Sequence, residues 1–145
     1  MNSNMDQRLH HQAVQRALEL GRGTDPAALP ELIELLKMPS SEVRRLAASA
    51  IAKLAPFGAD PALAVPALAP FALRDPHPQV QQYALKALKC FGAAAREHLH
   101  DLDDLAANNR LRDYIRRAAH SAAEAIREGI RAETEGARHK CIRCG

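Results

Sequence analysis

Tryptophan is missing from this sequence of 145 residues, and tyrosine and phenylalanine together supply only 3% of it. So few aromatic rings leave little on which nucleic-acid bases could stack. β-branched residues are also few, which disfavours β-strands. Alanine and leucine instead supply most of the hydrophobic residues, which make up 47% of the sequence, and both favour helix. The composition therefore predicts an all-α fold.

Cysteine is scarce as well. The chain has three cysteines, too few for a disulfide framework. The first residues, "MNSNMDQRLHHQ", are polar, and no run approaches the roughly 18 apolar residues that a membrane span requires. We therefore expect a cytoplasmic protein with reduced thiols and no membrane contact.

No strong charge bias or catalytic motif is present either. The net charge is only +3, and basic and acidic residues are spread along the chain, so nucleic acid or an acidic partner is permitted but not required. The sequence has no G-x-S-x-G, no phosphate-binding glycine loop and no H-E-x-x-H. His98 and His100 stand near three aspartates, Asp101, Asp103 and Asp104, a group that could hold a metal but that we interpret as a solvated helix surface. We predict that the chain is not an enzyme.

What the sequence does contain is a repeated pattern. Its three copies are "SEVRRLAASAIAKLA" (residues 41–55), "PQVQQYALKALKCFG" (78–92) and "DYIRRAAHSAAEAIR" (113–127). Apolar residues fall at i, i+4, i+7 and i+8, which is one face of an α-helix. We predict that these positions are buried between stacked helices: Val43, Ala47, Ala50, Val80, Ala84, Ala87, Ile115 and Ala119.

A second helix is predicted before each copy of the pattern, at residues 26–37, 61–73 and 96–107. A further helix is predicted at 6–20, as an N-terminal cap. Three Asp-Pro dipeptides read as helix starts, because Asp accepts from the first free N–H groups and Pro suits the first helical position. They are Asp25-Pro26, Asp60-Pro61 and Asp75-Pro76. Pro30 and Pro66 are expected to bend the first helix of their pairs.

These features resemble the HEAT repeat family. The segment "DPHPQVQQYALKALKCFG" carries the resemblance most fully, and the internal prolines and the arginines Arg44 and Arg116 after the leading apolar residue also match it. Gln81 departs from the arginine position, and the third copy lacks the proline and the Asp-Pro turn. The resemblance implies a short right-handed α-solenoid of about three helix pairs, because a single pair has too little core of its own.

The resulting predicted organisation is a capping helix, three repeats and a mobile tail. The boundaries are 1–23 for the cap, 24–59, 60–95 and 96–129 for the repeats, and 130–145 for the tail. Cys90 is expected to be a small buried hydrophobe within the second repeat.

HEAT-like proteins mostly bind other macromolecules, and the second helices of such a solenoid line its concave side. The polar residues predicted to contact a partner there are Arg44, Arg45, Gln81, Gln82, Lys86, Lys89, Arg116 and Arg117. The first hypothesis is a scaffold that binds a partner protein through this face. The second is a nucleic-acid-associated accessory domain, in which the basic residues face phosphates. For the leading arginine the HEAT resemblance also implies a structural alternative, a bond to the aspartate of the neighbouring turn.

The chain ends in "RHKCIRCG", where Cys141 and Cys144 form C-x-x-C and His139 could be a third ligand. This stretch resembles the first half of a zinc ribbon, as found at the end of some nucleases. Four ligands are needed for tetrahedral zinc, so further residues or another chain would have to complete the site. The alternative is a tail with two idle thiols. No other cofactor is predicted.

Overall fold

The structure, a computed structural model, describes the backbone of residues 3–144 and the side chains of residues 3–138. Within this range the chain forms seven α-helices and three 3-10 segments and has no strand, which confirms the predicted all-α class. The α-helices are α1 (Ser3–Arg22), α2 (Leu29–Leu36), α3 (Ser41–Leu54), α4 (Pro61–Arg74), α5 (Pro78–Lys89), α6 (Leu99–Ala107) and α7 (Asp113–Cys144). None of these helices is long and apolar enough to cross a membrane.

The helices form two rows. α2 packs against α3, α4 against α5 and α6 against α7, which gives the three predicted pairs. The second helices also pack closely side by side, α3 on α5 and α5 on α7, whereas α2, α4 and α6 touch one another much less. α1 packs along α3 as α3 packs along α5, so it extends the row of second helices at its N-terminal end. The arrangement is an α-solenoid.

The repeated apolar pattern accounts for the core. All eight positions predicted to be buried are at most 3% exposed. Where α3, α5 and α7 meet, most of these positions are alanines, so the helix backbones can approach closely. Large aliphatic side chains from the first helices, such as Leu32, Leu68 and Leu102, fill the space between the rows and are fully buried.

Two of the three Asp-Pro dipeptides begin helical segments. The carboxylates of Asp25 and Asp60 each accept the N–H two residues later, at 2.9 Å, as N-caps do. The prediction for Asp75 was wrong, because Asp75 follows the last residue of α4 and is buried. α5 begins instead at Pro78, and the imidazole of His77 accepts the N–H of Gln79 at 3.3 Å.

The internal prolines act differently in the two repeats. Pro30 lies in the first turn of α2, where the 3-10 turn Pro26–Ala28 gives way to α-helix. Pro66 lies inside α4, which continues unbroken to Arg74 and contains a further proline, Pro70. Both prolines of α4 are exposed, so water can reach the carbonyls that lose a helical partner. The two sites are therefore not one repeated bend.

The third pair is the least regular. A left-handed glycine, Gly92 at φ 53°, follows α5, and the 3-10 segment Gly92–His98 leads into α6, which starts three residues later than predicted. α7 continues past residue 129, where the repeat pattern predicted its end, through Cys144. Gly129 lies where α7 crosses the 3-10 segment, and a Cβ there would be 2.7 Å from the backbone nitrogen of Ala93.

We predict that Ala84→Leu lowers the free energy of unfolding by about 1–3 kcal/mol, because the added carbons have no space between the stacked helices. Ala62→Leu on the exposed side of α4 is the matched control, and its effect should stay within about 0.5 kcal/mol. Urea unfolding followed by circular dichroism measures both. Equal effects of the two variants would contradict the stacking of α5 in the core.

We predict that Gly129→Ala destabilises the protein by about 1–3 kcal/mol, although alanine is the better helix former, because the Cβ would displace Ala93. Gly136→Ala, on the same helix with open space around it, should leave stability unchanged or raise it by up to about 1 kcal/mol. Thermal unfolding of the two variants makes the comparison. A stabilising Gly129→Ala would show that α7 does not approach the 3-10 segment so closely.

Candidate partner-binding surface

The solvent side of α3, α5 and α7, here called the second-helix face, carries most of the residues predicted to contact a partner. Five of the eight lie there with half-buried or exposed side chains: Arg45, Gln82, Lys86, Lys89 and Arg117. The other three, Arg44, Gln81 and Arg116, have structural bonds.

Arg44 is part of a buried ion pair. Its Nε donates to Asp75 Oδ2 at 3.0 Å, and the two side chains are only 13% and 2% exposed. The same guanidinium donates to the carbonyls of Met38 and Pro39 at 3.1 and 2.7 Å. Arg44 therefore joins the turn of its own pair to the turn of the next pair. The alternative, a bond to the aspartate of the neighbouring turn, is therefore confirmed, and contact of Arg44 with a partner stays a prediction.

Gln81 and Arg116 stand at the same repeat position as Arg44 and also donate to main-chain carbonyls. Gln81 is 7% exposed, and its Nε2 donates to the carbonyl of Leu73 near the end of α4 at 3.3 Å. Arg116 donates through Nε to the carbonyl of Ala106 near the end of α6 at 3.3 Å. Each therefore satisfies a carbonyl that the end of its first helix leaves free. The partner contact predicted for Gln81 and for the half-buried Arg116 stays a prediction.

A groove runs between α5 and α7 on the second-helix face. We call it the basic groove; it encloses about 290 Å³. It is lined by Gln82, Lys86 and Lys89 from α5 and by Tyr114, Arg117, Ala118 and Ser121 from α7. Three of its lining residues are cations, and they come from two different repeats.

Tyr83 links the basic groove to α3. The Cζ atom of Arg45 lies 5.5 Å from the centre of the Tyr83 ring, and the Nζ atom of Lys86 lies 5.3 Å from it. Cations at this distance from an aromatic face are attracted by its negative quadrupole. The tyrosine therefore holds two cations of neighbouring helices side by side.

The positive charge of this face is not neutralised locally. Among the side chains that the structure describes, Arg45, Lys86, Lys89 and Arg117 form no ion pair, whereas the acids of α3 and α7 do, apart from exposed Glu135. Examples are Glu42 with His10 at 3.3 Å, Glu124 with Arg127 at 3.1 Å and Glu128 with Arg131 at 2.8 Å. The face thus presents free cations and engaged carboxylates.

Cys90 was expected in the core, and this prediction was wrong because the residue is exposed at the end of α5. Leu88 fills the buried position two residues earlier. Partial burial nevertheless raises the pKa of the Cys90 thiol, with nearby Lys89 acting in the opposite direction. The Sγ atom donates to the carbonyl of Lys86 at 3.4 Å. Little of the thiol is therefore thiolate at neutral pH.

The other candidate sites do not assemble in the part of the chain with described side chains. Asp103 pairs with Arg127, while His100 and Asp104 lie 3.5 Å apart on the exposed side of α6. No three His, Cys, Asp or Glu side chains within residues 3–138 come together as a metal site would require. The proposed zinc ligands His139, Cys141 and Cys144 lie outside the described side chains, so that hypothesis stays a prediction.

The comparison with protein families agrees with this architecture. The family model described as HEAT repeats matches residues 3–89, more than half of the chain. The chain belongs to the HEAT-repeat family. The match spans α1 to α5 of this HEAT protein, so α1, predicted to lie before the repeats, falls within the matched segment. HEAT repeats generally act as scaffolds for protein interaction. Neither the curated proteins nor the solved structures searched contain a match.

Sequence reasoning missed the tyrosines and Ser121. Tyr83 and Tyr114 are the only tyrosines of the chain, and both lie on the second-helix face beside the cations. Their positions, three residues before Lys86 and Arg117 respectively, place each about one helical turn from a predicted contact. This spacing is the feature of the sequence from which the position of the two tyrosines on the second-helix face could have been predicted.

Arg44 forms a buried ion pair and Arg117 forms no ion pair, so replacing Arg44 should lower the free energy of unfolding far more than replacing Arg117. We predict that Arg44→Met destabilises the protein by about 3–5 kcal/mol, since it leaves the Asp75 carboxylate buried without its cation. Arg117→Met should change stability by no more than about 0.5 kcal/mol. Denaturant unfolding of both variants tests this, and a neutral Arg44→Met would contradict the buried pair.

Proposed function

We propose that this HEAT protein is a non-catalytic scaffold that binds a partner protein through the second-helix face. The observation that supports this most is the basic groove, where side chains of two repeats converge beside two half-buried tyrosines. Tyrosine and arginine are the residue types that most often carry binding energy at protein interfaces. Because the supporting helices are packed side by side, these side chains are presented on a rigid surface, which lowers the entropy lost on binding.

A nucleic-acid-associated role is the second candidate, favoured by the unpaired cations Arg45, Lys86, Lys89 and Arg117. Cations that follow a phosphate backbone would give an affinity that falls steeply with salt. The zinc-ribbon resemblance of the last residues belongs to this candidate, in which the chain would be the N-terminal part of a longer nuclease-like protein. Measuring the metal content of the purified protein is the first test of the zinc-ribbon part of this candidate.

Site-specific photo-crosslinking tests the proposed function. A photo-reactive amino acid at Gln82 on the second-helix face should give, in the cells that make the protein, one adduct of defined mass. The same amino acid at exposed Arg74 on α4 should not give that adduct. Adding Tyr83→Ala and Arg117→Ala to the Gln82 variant should remove the adduct while the unfolding curve keeps its cooperativity. An adduct at Arg74 alone, or one unaffected by the two substitutions, would place the interface elsewhere.

A further inference from the structure

The basic groove has the features of a site for carboxylates. We propose that Lys86, Lys89 and Arg117, meeting between α5 and α7, bind a short acidic peptide segment of the partner through its Asp or Glu side chains. This inference rests on the proposed function and specifies the partner's chemistry.

Charge is the first argument. The three cations come from two helices, and none of them pairs with a carboxylate among the described residues. Cations that face one groove without local acids repel one another, so an incoming carboxylate lowers that repulsion as well as forming charge-assisted hydrogen bonds. The nearest acid along α7 is Asp113, about one turn before Arg117, and its carboxylate lies 3.7 Å from the guanidinium of Arg116. Glu124 and Glu128, farther along α7, pair with Arg127 and Arg131. None of these three carboxylates lines the groove.

The lining and size of the groove are the second argument. At about 290 Å³ it is slightly smaller than typical ligand pockets, which span about 300–1,000 Å³. It therefore suits one or two side chains of an extended segment. Gln82 and Ser121 offer donors and acceptors for a peptide backbone, while Ala118 and the ring of Tyr114 can contact the methylene groups of Asp or Glu.

The aromatic rings distinguish an acidic peptide from a nucleic acid. Lysine and arginine bind carboxylates and phosphates alike, so the distinction depends on whether bases could stack beside the cations. The Tyr83 ring, which could otherwise stack on a base, already has Arg45 and Lys86 near it. This arrangement favours an acidic peptide over a nucleic acid.

The test is fluorescence anisotropy with the full chain and a fluorescein-labelled ten-residue peptide of alternating Glu and Ala. The triple variant Lys86→Gln, Lys89→Gln, Arg117→Gln should bind this peptide at least about tenfold more weakly than the unchanged protein. The control variant Arg22→Gln, Arg74→Gln, Arg110→Gln removes the same charge from exposed positions outside the groove and should bind within about twofold of it. A peptide with Gln in place of Glu should not bind.

Three results would overturn the inference. One is equal weakening by the two triple variants, which would mean that net charge alone is sensed. Another is tighter binding of a phosphoserine peptide or of a labelled single- or double-stranded oligonucleotide than of the Glu peptide. The third is absence of Glu-peptide binding while the Gln82 crosslink persists, which would leave the proposed function standing with a partner that is not acidic.

Discussion

The row formed by α1, α3, α5 and α7 depends on the small size of the residues where these helices meet. Alanines such as Ala47, Ala84 and Ala119 are completely buried there, and each allows the neighbouring backbone to come close. The packing of the other helices and the basic groove depend on this approach. The leucines of α2, α4 and α6 can seal the other side only because the second helices already form a continuous layer. The basic groove exists because α5 and α7 are near enough for their outward side chains to share one space.

A second constraint operates at the position after the leading apolar residue of each repeat. Gln81 and Arg116 donate to carbonyl groups near the end of the preceding helix, and Arg44 donates to carbonyl groups of the preceding turn. Arg116 also lies 3.7 Å from Asp113 of its own helix, but among the three only Arg44 pairs with a carboxylate of the next turn. That carboxylate belongs to Asp75, which accepts the N–H of His77 at 2.8 Å. The polar bonds thus tie each second helix to the turn or helix end before it, while the alanines allow neighbouring pairs to approach closely. Gln81, which stands at the arginine position of its repeat, still bonds to a main-chain carbonyl but, being uncharged, forms no ion pair with the next turn.

The sequence predicted the helices, their pairing and the buried positions because those depend on local periodicity, which is visible in one chain. It failed where a residue has two possible partners. Asp75 resembled a helix start, but its carboxylate serves a turn and a distant arginine. Arg44 resembled a surface cation, and Cys90 resembled a core residue, because distance from the end of a helix cannot be read from apolar spacing alone. The sequence predicted only part of the groove lining. The repeat pattern placed Lys86, Lys89 and Arg117 on the second helices, whereas the presence of Tyr114 and Ser121 in the groove depends on how α7 is rotated against α5.

The row also has two unequal ends. α1 buries only Ala13 and Ala17, whereas α7 buries six residues between Ile115 and Ile126. In a solenoid each element is stabilised mainly by its neighbours, so local opening can begin at one end and stop before reaching the other. α1 can therefore detach and reattach while α5 and α7 remain in place. The second-helix face of α5 and α7 would keep its shape during such fraying. A molecule that contacted both α1 and this face could lose the contact with α1 while keeping the other.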